Sequence, residues 1–277
     1  MLDKFHYEMF WQQGYVVVPN FVSPFLVEEA GKRFDPLFRG EFETGIQPDE
    51  WNWQHGKSAP SLTRQICNGW KADRTIARLV LSQEVGKACA KLMNWEGVRI
   101  NQDNVIWKAP GAKPLGFHQD NTYQQWIEPP SMVTCWMALD DTHTDGGTIE
   151  YVAGSHKWPV SSELHGFHAP EDYHEGLRSS AESLGVSEYD VVNLKVNAGD
   201  AVFHHGGTWH GSGSNQTENP RRSVVSHCMN SESLHHPVNL SPIYSRYKKQ
   251  DSLELDESFF PVLWHKTGHR TAFLESY

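Results

Sequence analysis

The sequence has few cysteines, no long apolar run and a shortage of positive charge. Its four cysteines, Cys67, Cys89, Cys135 and Cys228, stand far apart. None forms a C-x-x-C pair, so neither a zinc knuckle nor a thioredoxin-like motif is indicated. Such spacing suits reduced thiols better than a disulfide framework. No stretch approaches the roughly 18 apolar residues of a membrane-spanning helix. The start, Met1 to Tyr7, lacks the basic region and apolar core of a secretory signal. We therefore expect a cytoplasmic protein with no membrane partner. Lys and Arg number 24 against 34 Asp and Glu, a net charge of −10. That excludes a broad nucleic-acid-binding surface but leaves room for a small cationic pocket. No internal repeat, low-complexity tract or break in composition demands a second domain.

What is present is histidine, 16 in 277 residues, with 12% aromatic residues. Tyr15 to Val18 is short and β-branched and predicts a strand. Ser23-Pro24 predicts a capped helix start, with the helix running to about Phe38. Residues 39–69 are rich in Gly, Pro, Trp and Asn and read as a long loop. From Trp70 to about Asn94, Ile76, Leu79, Val80, Val85, Cys89 and Leu92 share a helical face. After Gly97 the texture changes. Short strands are predicted over Val98–Lys108, Met132–Leu139, Thr148–Val152, Val191–Val196, Ala201–His204 and Ser223–Met229, punctuated by Gly, Pro, Asn and Asp. Strands without intervening helices indicate an all-β sandwich or barrel. Residues 159–190 read as an insert, helical over 170–183, and the tail from 231 carries weak signals of order. The expected layout is one domain over residues 1–277. It has helical support over about 1–97, a β core over about 98–230 and a C-terminal tail over about 231–277.

The segment Gly116-Phe-His118-Gln-Asp120 carries the chemistry. In an extended strand a His and a carboxylate two residues apart point to one face. His210, ninety residues after Asp120, is the candidate second histidine. Two His and one carboxylate leave open positions on a metal and suit non-haem Fe(II). Arg221 follows His210 by eleven residues and opens an Arg-x-Ser arrangement with Ser223. An arginine buried beside that centre matches a carboxylate with its planar fork. A dicarboxylic keto-acid would meet both the metal and the arginine.

These stretches resemble the phytanoyl-CoA dioxygenase family of Fe(II)/2-oxoglutarate oxygenases. The matching segments are GYVVVPNFVS at 14–23, KAPGAKPLGFHQD at 108–120, GGTIEYVAGSHKW at 146–158, HGSGSN at 210–215 and NPRRS at 219–223. The resemblance implies a mostly β fold with supporting helices, built on a double-stranded β-helix, a cupin-like jelly roll. It implies Fe(II), 2-oxoglutarate and O2 as cofactor and co-substrates. It carries iron binding to His118, Asp120 and His210, and the distal keto-acid carboxylate to Arg221 with Ser223. Gln102 and Trp136 match positions that line the co-substrate site. Because Asp120 is a carboxylate where halogenating members have a small residue, the resemblance implies hydroxylation.

Around the His-x-Asp segment, Asn104, Asn121, Thr122, Tyr123 and Trp126 are candidates for a polar substrate wall. Lys108, Arg99, Arg64 and Arg222 are candidate cations for an anionic substrate. Together they suggest a small polar or anionic metabolite, such as an amino-acid derivative or an organophosphonate. Trp51, Trp53 and Trp70 would instead line an apolar tunnel for a fatty acyl chain or acyl thioester. Of the other histidines, His156 reads as a structural hydrogen-bonder. His165, His168 and His174 read as solvated loop residues, and His204 and His205 as poorer metal ligands than His210. Two further classes stay open: a non-catalytic metal- or ligand-binding jelly roll, and a zinc hydrolase using the same three ligands. Oligomeric state is not legible.

Overall fold

A computed structural model describes residues 2–162 and 166–277; His165 lies outside the described residues. In chain order the helices are α1 (Lys4–Gln13), α2 (Pro24–Arg39), α3 (Arg74–Val80), α4 (Gln83–Met93) and α5 (Glu175–Ser183). The strands are β1 (Tyr15–Val18), β2 (Glu50–Trp51), β3 (Arg64–Cys67), β4 (Gly97–Lys108), β5 (Leu115–His118), β6 (Ile127–Glu128) and β7 (Val133–Ala138). They continue as β8 (Glu150–Val152), β9 (Val191–Asn193), β10 (Ala201–His205), β11 (His210–Ser212), β12 (Arg221–Asn230), β13 (Leu234–His235) and β14 (Val262–His265). None of the described helices is long and apolar enough to cross a membrane.

Two antiparallel sheets form a jelly roll. The larger runs β1-β10-β7-β12-β4-β3-β2, with β14 paired to β4, and the smaller runs β5-β11-β8-β9. The larger sheet is buried on both faces, and side-chain alternation sorts its residues. Val105, Cys135, Met137, Phe203 and Val224 face the helices in the main core, together with Phe34, Ile76, Val85 and Leu92. Their chain neighbours Ile106, Trp136, Ala138, Val202 and Val225 face the barrel interior. The same parity turns Gln102, Asn104, Thr134, His204, Ser223 and His227 inward, which is how the fold delivers polar groups to one cavity.

Local chemistry sets the helix limits. In α2, Ser23 accepts the Leu26 N–H, Pro24 opens the first turn, and Gly40 closes it at φ 82°. The periodic stretch predicted as one helix over 70–94 is instead divided. Asp73 caps α3 by accepting from Thr75 and Ile76, and Ser82 caps α4 by accepting from Val85. A second N-cap inside an apolar period starts a new helix, and the hydrophobic pattern does not register the break.

Two further expectations are corrected. The stretch 39–69 is not all loop: β3 pairs with β4 from Arg64↔Trp107 to Cys67↔Asn104 and extends the larger sheet. The tail from 231 is ordered, because β14 pairs with β4 and Tyr244, Leu255, Phe260 and Leu274 are buried. Its apolar residues are spaced too irregularly to signal an element. They fill gaps around Trp126 and Met229 rather than form a periodic face.

Candidate metal centre

His118, Asp120 and His210 meet at one end of the barrel, their ligand atoms all within 4.8 Å of one another. The route differs from the predicted flat strand. His118 is the last residue of β5, and Asp120 opens a 3₁₀ turn, Asp120–Tyr123. In the pairing of β5 with β11, His210 faces His118 while Ser212 faces Leu115, so the register slips by one residue. This bulge lets both Leu115 and His118 line the cavity despite their odd spacing.

Both imidazoles are oriented for a metal. The Nδ1 of His118 lies 2.9 Å from the Gly116 carbonyl, and that of His210 lies 2.9 Å from the Thr208 carbonyl. An Nδ1–H donating to each carbonyl leaves the Nε2 lone pair for a cation. The two Nε2 atoms stand 3.5 and 3.7 Å from Asp120 Oδ1. Burial and the neighbouring His118 and His204 push the His210 pKa well down, which favours the neutral, metal-binding form.

Asp120 is buried, which alone would raise its pKa. The surrounding imidazoles of His227, His210, His118 and His204 outweigh this and hold it well below the usual carboxylate range. Its second oxygen, Oδ2, is already used. It accepts the Thr134 hydroxyl at 2.6 Å and lies 3.0 Å from His204 Nε2. Behind these, Tyr151 Oη is 2.8 Å from His204 Nδ1, and His227 is 2.8 Å from the Thr134 hydroxyl. The carboxylate is thus pinned through Oδ2 and presents Oδ1 to the metal position. The sequence reading missed Thr134, Tyr151 and His227, and treated His204 only as a rival ligand. The inward parity of β7, β10 and β12 was the available signal. We expect Thr134→Val to weaken Fe(II) or Co(II) binding by roughly 10–100-fold in a metal competition titration, with the fold intact.

Arg221 begins β12 and is 3% exposed. Its Nε and Nη2 donate to the Gly147 carbonyl at 3.0 and 2.8 Å, and Nη1 donates to Ser223 Oγ at 3.1 Å. Gly147 sits at φ +67°, where a Cβ would lie 2.7 Å from the Gly213 carbonyl, so glycine is required to aim that carbonyl. Trp136 lies under the guanidinium, 5.6 Å from ring centre to Cζ. Among the described residues Arg221 forms no ion pair, and burial pushes its pKa down to about 10. A guanidinium has five N–H groups, and two remain free for the cavity. A buried cation without a counter-ion calls for an anionic ligand.

The cavity of about 400 Å³ runs from this arginine past the metal position to an opening beside Glu50 and His168. Gln102, Asn104, Trp136 and Tyr123, all candidates from the sequence, line it. Gln102 Oε1 accepts the Tyr244 hydroxyl, a partner supplied by the tail. Three proposed substrate residues sit elsewhere. Trp126 is packed between Tyr244, His235 and Phe260. Asn121 accepts the Met132 N–H at 3.0 Å, and Thr122 donates to the Ser161 carbonyl at 3.0 Å. The 3₁₀ turn after Asp120 rotates them away from the metal.

The four candidate substrate cations are also committed elsewhere. Arg64 lies between the rings of Trp53 and Trp107, 3.9 and 4.1 Å from their centres. Arg222 pairs with Asp140 at 2.7 Å, and Arg99 donates to the Leu255 carbonyl. Lys108 is fully buried, its Nζ donating to the carbonyls of Lys113, Ser212 and Gly213. It ties β4 to the loop around residue 213. We expect Lys108→Met to cost roughly 3 kcal/mol in a urea unfolding curve, because buried carbonyls lose their donor.

Trp51, Trp53 and Trp70 do not line the cavity; they pack against Phe42, Phe38 and Phe273. His168 is exposed, as expected, and also lines the cavity at its rim, while His174 is half-buried and packs edge-on to Phe117. His156 is a structural hydrogen-bonder, 3.1 Å from the Trp11 carbonyl. His205 faces α1, between Phe10 and Trp11, away from the metal position.

Two imidazoles and one carboxylate fit ferrous iron, and an unpaired arginine in the same cavity fits a dicarboxylic keto-acid. The class that joins these needs is the iron- and 2-oxoglutarate-dependent dioxygenases. The chain belongs to the phytanoyl-CoA dioxygenase family, whose profile matches residues 10–223. It is 23% identical over 274 residues to the dioxygenase OlcK of Penicillium canescens, covering 96% of this chain and 80% of that one. A probable alpha-ketoglutarate-dependent hypophosphite dioxygenase of Stutzerimonas stutzeri is 26% identical, over 77% of this chain and 73% of that one. In structure the chain resembles the epimerase SnoN, solved with Fe3+, alpha ketoglutarate and nogalamycin RO. The TM-score is 0.72 at 20% identity, over 94% of this chain and 98% of that one.

Proposed function

We propose that this protein hydroxylates an unactivated C–H bond of a small polar metabolite, with Fe(II), 2-oxoglutarate and O2. The observation that carries this is Arg221, a buried guanidinium without a counter-ion among the described residues, in the same cavity as His118, Asp120 and His210. In this reading those three hold the iron, and Arg221 with Ser223 takes the distal carboxylate of 2-oxoglutarate. Iron loaded with 2-oxoglutarate and O2 supplies the oxidising power and releases succinate and CO2. The chain orients and shields. Gly147 and Ser223 fix the arginine fork, Thr134 and His204 fix Asp120, and Ile106, Leu115, Ile149 and Val225 keep water from the reacting carbon. No side chain need serve as general base.

The anionic version of this substrate loses its support, because Arg64, Arg99, Lys108 and Arg222 all point elsewhere. A fatty acyl substrate is the second reading, favoured by the apolar residues Phe167 and Ile243 added to the four above. Succinate formation over a panel of candidate substrates tests both. A polar metabolite that couples succinate one-to-one with an alcohol product supports the first, and coupling only with acyl thioesters supports the second. Tight zinc binding with no response to 2-oxoglutarate would refute both.

A further inference from the structure

The outer half of the cavity is rich in hydrogen-bond acceptors and poor in cations. Glu50, on the short strand β2, lines the opening and forms no ion pair among the described residues. Its neighbour Asp49 shows the contrast, being held by Lys71 at 2.7 Å and by Arg246 at 3.2 Å. Glu50 is exposed at the cavity mouth, and its charge still reaches the buried Cys67 thiol on the paired strand, which is pushed up by burial and then by Glu50. Beside it, Gln65 donates its amide to Asn104 Oδ1 at 3.1 Å, which leaves Gln65 Oε1 to accept.

Charge counting gives this wall its meaning, and it rests on the function proposed above. With iron and 2-oxoglutarate in place, the positive charges of the metal and Arg221 are matched by Asp120 and the two keto-acid carboxylates. Glu50 is then the one uncompensated charge on the described cavity wall. An anion brought in from solvent would meet this carboxylate with no cation to offset it. We propose that Glu50 is a specificity-determining residue and that the substrate carries a basic nitrogen, whose ammonium group meets Glu50 while its apolar body lies along Ile106, Leu115, Phe167 and Ile243.

The test uses the full chain, loaded anaerobically with Fe(II) and 2-oxoglutarate. The visible absorption band of the loaded centre is titrated with n-hexylamine, 1-hexanol and hexanoate, probes of equal length that differ in charge. The amine is expected to bind roughly fivefold more tightly than the alcohol, as for a partly exposed ion pair, and hexanoate most weakly. Glu50→Gln should erase the preference for the amine while keeping the band, and Glu50→Lys should turn it toward hexanoate. An amine no tighter than the alcohol overturns the proposal, absence of binding by all three probes included. So does a preference that survives in Glu50→Gln. Absence of the band with 2-oxoglutarate alone strikes the underlying reading, and this inference falls with it; a band that forms but ignores probe charge strikes the inference alone.

Discussion

Replacing Asp120 by alanine is expected to abolish hydroxylation, with a fall larger than the roughly 10–100-fold produced by losing an outer partner of a metal ligand. Asp120 does three things at once. In the proposed centre its Oδ1 is the third donor beside the two Nε2 atoms, its Oδ2 receives Thr134 and His204, and the imidazoles around it keep it ionised. Alanine removes the ligand and takes one buried acceptor from the Thr134 hydroxyl and one from His204 Nε2, each loss costing about 1–3 kcal/mol, although Thr134 keeps His227 and His204 keeps Tyr151. Iron content should therefore fall together with activity, and the unfolding midpoint should move as well. Asp120→Asn separates the effects, because an amide oxygen can still accept from Thr134 while supplying no charge to the metal. Iron retention and succinate output, measured on both variants beside circular dichroism, check this. Full activity in either variant would refute the ligand assignment. His205→Ala is the control: it faces α1 and should leave iron content unchanged.

The candidate metal ligands were legible because chemistry restricts them to a few residue types at a short spacing. His118, Asp120 and Arg221 stand within recognisable segments, and strand parity carries Gln102, Asn104 and Trp136 to the cavity. What could not be read was anything fixed by a break in regularity. The bulge opposite His210 and the 3₁₀ turn after Asp120 decide that Tyr123 lines the cavity while Asn121, Thr122 and Trp126 do not. Neither leaves a periodic trace. The cations failed for another reason. Lys108 and Arg222 are as charged in sequence as Arg221, but each finds protein acceptors that only tertiary structure reveals. The tail was read as weakly ordered because its buried residues fill gaps rather than repeat. Yet it supplies Tyr244, which fixes Gln102, and Ile243, which lines the opening.

Arg221→Ala is expected to raise the 2-oxoglutarate concentration needed for half-maximal turnover by on the order of a hundredfold or more, as when one partner of a buried charge pair is truncated. Loss of packing alone would not discriminate among keto-acids, so the comparison with 2-oxobutyrate decides the cause. That compound keeps the keto-acid end and lacks the distal carboxylate. In the native protein 2-oxoglutarate should be strongly preferred, and in Arg221→Ala the two should converge. Arg221→Lys tests the fork. It keeps a charge but cannot donate through two nitrogens to the Gly147 carbonyl while also reaching Ser223, so recovery should be partial. The pH dependence follows from the same geometry. Burial lowers the guanidinium to about 10, so it is cationic at neutral pH, and affinity for 2-oxoglutarate should weaken only as the pH rises toward that value. An unchanged 2-oxoglutarate requirement in Arg221→Ala would mean that another cation holds the keto-acid. Lys108, a buried cation within the field of Arg221, is bound to three carbonyls, so its recruitment would require the loop around residue 213 to rearrange.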